Sequence, residues 1–287
     1  MKKVFKKKKI LITGGSGLLG SNFFHKYKRE YKITKYPFRI ENQKKFDKWI
    51  KNKDFDYFVH FAALINNNDK KKIDLINTKS SINLLNILNK KKLKNFKFFL
   101  FISSSHVYEN SIKKIKETHK RSPKNIYGLS KKKVEDFIIK NRKNFYFKIG
   151  IARIFNFTGL KQKKGFFIAD IYRKIRKNII LKNVNKNRDF IHIDDVCESL
   201  RFVLKKKFEK PINISSGKKI NLVNICKLIN KFYFKKKVVF DLKKGEDLVG
   251  DNSQLRSLGK KKFKNINQIV KSFKKWKKNL YFLDMID

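Results

Sequence analysis

Two short stretches of the sequence combine residue types at spacings that can do chemistry. The first is Thr13-Gly14-Gly15-Ser16-Gly17-Leu18-Leu19-Gly20. The chain has only 12 Gly, and four of them fall between positions 14 and 20, which argues against an ordinary turn. Gly14 permits a tight turn, Gly17 lets backbone N–H groups approach a pyrophosphate, and Gly20 lets the next helix pack closely on the preceding strand. The free N–H groups and positive dipole end of that helix favour an anion. Gly14, Ser16, Gly17, Leu18 and Gly20 are therefore the candidate cofactor cradle. The second stretch is Tyr127-Gly128-Leu129-Ser130-Lys131. In a helix, Tyr127 and Lys131 share a face. A phenol titrates near ~10, and an adjacent ammonium favours its ionised form, so the pair is a candidate acid/base unit. A hydroxyl from the Ser103-Ser104-Ser105 run could hold a carbonyl or alcohol oxygen of a substrate.

The surrounding elements must bring these stretches together. Lys9–Thr13 reads as a buried parallel strand, and Ser21 to Tyr27 has helical apolar spacing. Strand, Gly turn and helix are the context a phosphate cradle requires. Tyr31–Tyr36 reads as a second strand with no acid at its end to hold ribose hydroxyls. Lys35 and Arg39 are there instead. They suit a ribose 2′-phosphate and favour NADP over NAD. A helix is predicted from Gln43 to Lys53. The buried strand Asp56–Phe61 runs into Ala62 and Ala63, whose small side chains let a ring or ribose come near. Ile73–Leu88 reads as a helix, Phe96–Ile102 as a strand entering the Ser run, and the helix after Tyr127 carries Val134, Phe137 and Ile138 on one face. Further on, the pattern predicts helices at 165–180, 222–229 and 266–276, a strand at 211–215 and a last short strand at Val238–Phe240. Alternating strands and helices imply an α/β fold, a doubly wound parallel sheet with a cofactor over the carboxyl ends of its strands.

Taken together, these motifs resemble the extended short-chain dehydrogenase/reductases of the NAD-dependent epimerase/dehydratase family, which act on nucleotide sugars. The matching pieces are TGGSGLLG (13–20), HFAAL (60–64), the helix with Asn77, ISSSHVY (102–108), YGLSK (127–131), ARIFNFTG (152–159), RDFIHIDDV (188–196) and INISSG (212–217). The resemblance implies a Rossmann-type NAD(P)-binding domain over 1–157 and a smaller substrate-binding lobe, interleaved with it, mainly over 158–287. It implies Tyr127 as acid/base, Lys131 on the nicotinamide ribose and Ser104 as the catalytic Ser. Ser103 and Ser105 take supporting places, Ser105 beside the substrate with His106. Asn156 would meet the nucleotide-sugar phosphates and Arg188 would grip the pyrophosphate, a task suited to a guanidinium fork. His192 reads as structural, and Asp194 and Asp195 as the cap and first-turn charge of a helix. The connection between the second strand and the one at 57–61 is short, as in the 4-keto-6-deoxy-sugar reductases of the family. Lys161 stands in GLKQ (159–162) where GDP-sugar relatives often have GPRQ. Reduction of a nucleotide-linked 4-keto-6-deoxy sugar at C4 is the expected activity. The alternatives are a 4-epimerase with retained NAD, a dehydratase, or a non-catalytic cofactor-sensing or RNA-binding relative.

Composition bounds the partners. The 287 residues carry a formal net charge of +51, yet 41% are hydrophobic, enough for a core and against wholesale disorder. Of the 74 basic residues 64 are Lys, spread from end to end, with 28 Asn and 28 Phe against four Ala. Residues with A/T-rich codons are in excess, so the charge reads as compositional drift and no specific nucleic-acid partner is expected. Cys197 and Cys226 form no CxxC pair or Cys/His cluster, so no metal site is expected. No apolar run reaches about 18 residues and no signal peptide is legible. A cytoplasmic location without membrane attachment is expected, and the family resemblance implies a homodimer.

Overall fold

The computed structural model describes residues 7–65, 69–159, 162 and 166–273. The chain forms β1 (Lys9–Thr13), α1 (Leu18–Tyr27), β2 (Lys32–Lys35), α2 (Gln43–Ile50), β3 (Tyr57–His60), α3 (Lys70–Ile73), α4 (Ser80–Lys91), β4 (Phe98–Ser104), α5 (Ile126–Asn141) and β5 (Lys148–Ile154). It continues with β6 (Asn156–Thr158), α6 (Phe167–Arg176), β7 (Asn187–Arg188), β8 (Phe190–His192), α7 (Ile193–Lys206), β9 (Pro211–Ile214), β10 (Ile220–Asn221), α8 (Leu222–Tyr233), α9 (Ser253–Ser257) and α10 (Ile266–Ser272). Two units result. Met1–Glu109, Glu117–Ile154 and Cys197–Ile212 make the first; Asn110–Lys116, Phe155–Val196 and Asn213–Asp287 make the second.

The fold is α/β, around a six-stranded sheet of order β2-β1-β3-β4-β5-β9. The pairs β1–β2, β1–β3, β3–β4 and β4–β5 are parallel. Central strands of such a sheet are covered on both faces, so they need nearly unbroken apolar runs. All four residues of β3 and all seven of β4 are buried. β2 reads Lys-Ile-Thr-Lys, has no buried residue and forms the sheet edge, where Lys discourages further pairing. Phe46 of α2, Phe58 of β3, Leu84 and Leu85 of α4, Phe99 and Phe101 of β4 and Val134 and Ile138 of α5 fill one side. The second unit has its own core from α6, α8 and α10, with Ile171, Ile175, Ile225, Ile229 and Ile269 at its centre.

Several elements depart from the pattern. The β4 ladder with β5 runs through Ser103 and Ser104, two residues beyond the predicted strand, because Arg153 and Ile154 give them partners. The predicted helix 73–88 spans α3 and α4, joined by a π-helical turn at Asp74–Lys79. Val238–Phe240 forms no strand; Phe240 makes a single bridge to Leu181, and Lys235–Lys237 before it are exposed. Residues 274–276 of the predicted last helix lie outside the described residues, as does Lys161. No helix among the described residues is long and apolar enough to cross a membrane.

Candidate active site

The loop between β1 and α1 is shaped by backbone contacts that leave no room for side chains. Gly14 has φ +66°, and a Cβ there would stand 2.5 Å from the Ala62 nitrogen. A Cβ at Gly20 would stand 2.3 Å from the Gly14 carbonyl oxygen. Side chains at either place would push the loop off β3 or α1 off the loop. At Gly17 the nearest neighbour of a Cβ would be the Gly14 oxygen at 3.2 Å, so this position is tight but open. Gly17 is the N-cap of α1, provides no side-chain cap and is exposed with Ser16. The first N–H groups of α1 therefore have no side-chain acceptor at the cap. Lys35 is exposed at the end of β2. Its stem lies against Gly15 and its Nζ sits 3.7 Å from the Phe24 ring centroid. Arg39 is exposed and makes no ion pair among the described residues.

Ala62 and Ala63, half-buried, follow β3. The segment is pinned by Asn77 from the π-helical turn. Asn77 Oδ1 accepts the Leu64 N–H, and Nδ2 donates to the Leu64 carbonyl, both at 2.8 Å, and to Ser130 Oγ at 3.1 Å. Beneath it, His60 is fully buried between Thr13 Oγ1 (2.7 Å, at Nδ1) and Ser81 Oγ (3.0 Å, at Nε2). Burial, reinforced by the Lys131 cation, pushes its pKa down to about 3, so the ring stays neutral.

Ser104 ends β4, and Tyr127 and Lys131 lie on the first turns of α5. The structure brings all three together. The Ser104 hydroxyl lies beside the Tyr127 phenol, where it favours the ionised form, and accepts the His106 N–H at 3.2 Å. Lys131 does not lower the phenol as the i, i+4 spacing predicts. Lys131 Nζ donates to the Ile102 carbonyl at 2.8 Å and lies 5.9 Å from the Tyr127 ring centroid. Burial dominates both groups. It pushes Tyr127 up to about 12, partly offset by Ser104, and Lys131 down to about 7, partly offset by Glu135. The phenol therefore holds its proton at neutral pH. His106 is exposed, its ring edge-on to Tyr127 with centroids 6.1 Å apart, and Ser105 is buried beneath the turn.

The remaining candidates belong to the second unit. Asn156, in β6, has a buried Nδ2 without a hydrogen-bond partner among the described residues. Arg188, in β7, donates from Nη1 to the carbonyls of Asn187 (2.9 Å) and Glu246 (2.5 Å). Next to it, Asp189 is fully buried and accepts the N–H groups of Ser216 and Gly217, both at 2.8 Å, and the Ser216 hydroxyl at 2.7 Å. Burial pushes Asp189 up to about 6 despite these donors. His192, Asp194 and Asp195 serve the fold. Asp195 pairs with Lys260 at 3.0 Å and Asp194 with Lys264 at 2.6 Å, while His192 Nδ1 accepts the Asp194 N–H.

The sequence model of the NAD-dependent epimerase/dehydratase family matches residues 10–216 of this chain. The chain belongs to that family. It is similar to a GDP-6-deoxy-D-talose 4-dehydrogenase of Aggregatibacter actinomycetemcomitans, at 30% identity over 77% of this chain and 79% of the relative. Its fold matches RMD from Pseudomonas aeruginosa, solved with NADPH, at TM-score 0.81 and 21% identity over 93% and 97% of the two chains. It also matches the UDP-glucuronic acid 4-epimerase of Bacillus cereus, solved with UDP-glucuronic acid and NAD, at TM-score 0.82 and 21% identity over 95% and 100%.

Several residues that build the site of this epimerase/dehydratase chain lie outside the motif positions. Glu135 lies one turn beyond Lys131 and is fully buried. Arg153 of β5 holds it with Nη2 at 2.6 Å and Nε at 3.1 Å, and the Ser103 hydroxyl donates to it at 2.5 Å. Arg153 also donates to the Tyr108 hydroxyl at 2.8 Å. Gly128 is required because a Cβ there would stand 2.1 Å from the His106 carbonyl oxygen. Asn125 caps α5 through its side chain. An Asn before the first helical residue signals a cap; nothing in the sequence pairs Glu135 with Arg153.

Proposed function

We propose that this protein is an NAD(P)-dependent oxidoreductase that reduces the C4 ketone of a nucleotide-linked 6-deoxy sugar. The observation that carries the reading is the placement of Tyr127 on the first turn of α5 beside Ser104 at the end of β4, with Lys131 buried one helical turn on and its Nζ held by the Ile102 carbonyl. The talose dehydrogenase relative and the short connection between β2 and β3 support this substrate class. The first unit is the NAD(P)-binding part and the second is mainly the substrate-binding part.

The loop fits a dinucleotide. Its Gly positions leave a cradle that a Cβ would fill, and α1 offers uncapped N–H groups. Gly14, Ser16, Gly17, Leu18 and Gly20 would hold the pyrophosphate, Ala62 and Ala63 would flank the ribose and ring, and Lys35 and Arg39 would meet a 2′-phosphate, so NADP is the preferred form. When bound, the nicotinamide supplies the hydride that reduces C4. Ser104 holds the C4 oxygen, and Tyr127 gives that oxygen its phenolic proton, converting ketone to alcohol. A phenol that keeps its proton at neutral pH is in the form this direction needs. Lys131 then compensates the phenolate formed and meets the nicotinamide ribose. Ser105 and His106 border the sugar. Asn156 offers its unpartnered Nδ2 to a phosphate, and Arg188 offers the remaining N–H groups of its fork.

The test is a screen of activated 4-keto and 4-hydroxy sugars with NADH and NADPH, products read by mass. A reductase consumes added cofactor and yields a product heavier by two hydrogens. An isomer of unchanged mass, formed on tightly retained NAD without added cofactor, would establish the 4-epimerase instead. The reading also includes a cytoplasmic homodimer, which sedimentation velocity checks as to assembly.

A further inference from the structure

We propose that Asn125 is a positioning residue that holds His106 as the neutral imidazole protonated on Nε2, a fixed hydrogen-bond donor beside Tyr127 that cannot act as a base. The argument starts from the amide. Asn125 Oδ1 accepts the Gly128 N–H at 2.7 Å as the cap of α5, which settles which end of the amide is oxygen. The other end, Nδ2, can only donate, and it lies 3.1 Å from His106 Nδ1. A proton on Nδ1 would set N–H against N–H, so Nδ1 presents its lone pair and the ring proton sits on Nε2. The imidazolium, protonated on both nitrogens, is disfavoured for the same reason.

The surroundings fix this arrangement. The His106 N–H is tied to Ser104 Oγ, and its carbonyl oxygen is seated against Gly128 so closely that no Cβ fits. The ring meets Tyr127 edge-on, 6.1 Å between centroids. One side chain thus starts the helix that carries Tyr127 and Lys131 and sets the proton position of the neighbouring imidazole. Its consequence for the reaction rests on the function proposed above. A ring whose one nitrogen is already protonated and whose other is covered by an amide donor takes no proton from a substrate carbon. Reduction at C4 asks only for donors around the oxygen, whereas eliminating water next to a ketone asks for a base. His106 suits the first and not the second.

The decisive measurement is long-range 1H–15N correlation NMR of the histidine rings in the ligand-free full chain at neutral pH, with His106→Gln identifying the signal. The expected result is an unprotonated Nδ1 and a protonated Nε2. Asn125→Asp keeps an equally good helix cap but turns an oxygen toward Nδ1. It should move the proton to Nδ1. Asn125→Ser keeps the cap and drops the contact, and should give averaged tautomers. A wild-type His106 protonated on Nδ1, or ring shifts unchanged in Asn125→Asp, overturns the proposal. With substrate, Asn125→Asp should lower kcat about tenfold, the worth of one hydrogen bond, at unchanged cofactor KM. Absence of any turnover in the wild type would count against the proposed function, while the ring shifts alone decide the tautomer.

Discussion

The Gly loop and the Ser104–Tyr127–Lys131 centre lie in the same unit and are specified in opposite ways. The loop is defined by what cannot be there: side chains at Gly14 or Gly20 would occupy space that backbone atoms fill at 2.5 Å and 2.3 Å. The centre is defined by polar atoms that must be there and by charges behind them. Ser103, next to Ser104, and Glu135, next in turn to Lys131, are joined to each other and to Arg153. A steric rule is written at the residue that obeys it. An electrostatic rule is shared among residues distant in sequence, and each can fail separately.

The largest expected effect comes from removing the reacting atom alone. Tyr127→Phe should lower turnover by ~10²- to 10⁴-fold, the range of general acid catalysis, with the fold and NADPH binding retained. Product formation by mass and NADPH fluorescence titration measure the two; an active variant breaks the mechanism. Next comes the charge behind the centre. Glu135→Gln leaves the buried Arg153 without its carboxylate and should cost about 3–5 kcal/mol of stability by denaturant unfolding. The double variant Glu135→Leu with Arg153→Met should recover much of that loss, since neither charge is then stranded. If the single variant is as stable as the parent, the centre does not depend on charges behind it and the contrast with the loop disappears.

The loop makes smaller and more separable predictions. Gly14→Ala forces a side chain into a left-handed backbone and against Ala62, and should cost about 1–3 kcal/mol while weakening cofactor binding. Gly17→Ala meets only the Gly14 oxygen at 3.2 Å, on an exposed turn. It should leave the melting temperature nearly unchanged and still weaken cofactor binding. Equal loss of stability in both variants would show that Gly17, too, is held by packing.

The same contrast explains what was legible in the sequence. β1, β3 and β4 announce themselves as apolar runs, and the Gly loop and Tyr127/Lys131 spacing are local, whereas Gly150 and Arg153 break the apolar run of β5 and leave it unannounced. β4 runs past its apolar pattern because Ser103 and Ser104, though polar, pair with Arg153 and Ile154 of the neighbouring β5. The two- and three-residue strands β6, β7, β8 and β10 are too short to show any period. The direction of the Tyr127 shift is not legible, because spacing reveals a nearby ammonium but neither the burial that raises the phenol nor the Ile102 carbonyl that holds Nζ.

Cofactor choice is where the two kinds of rule meet, and where the smallest effect is expected. Lys35 is a charge placed by packing: its stem covers Gly15, and the Phe24 ring holds its Nζ at 3.7 Å. A cation held on an aromatic face at an exposed site is worth about 0.5–1 kcal/mol, so it is oriented without being locked. Lys35→Met keeps the stem over Gly15 and deletes the charge. It should weaken NADPH binding by about three- to tenfold and leave NADH binding unchanged, since the lost interaction is one exposed ion pair. Phe24→Leu keeps the charge but removes its seat and should produce a smaller change in the same direction. Affinities for the two dinucleotides by fluorescence titration separate the outcomes. A wild-type preference for NADH would remove the 2′-phosphate from the argument, and Lys35 would then be one more solvated lysine among 64.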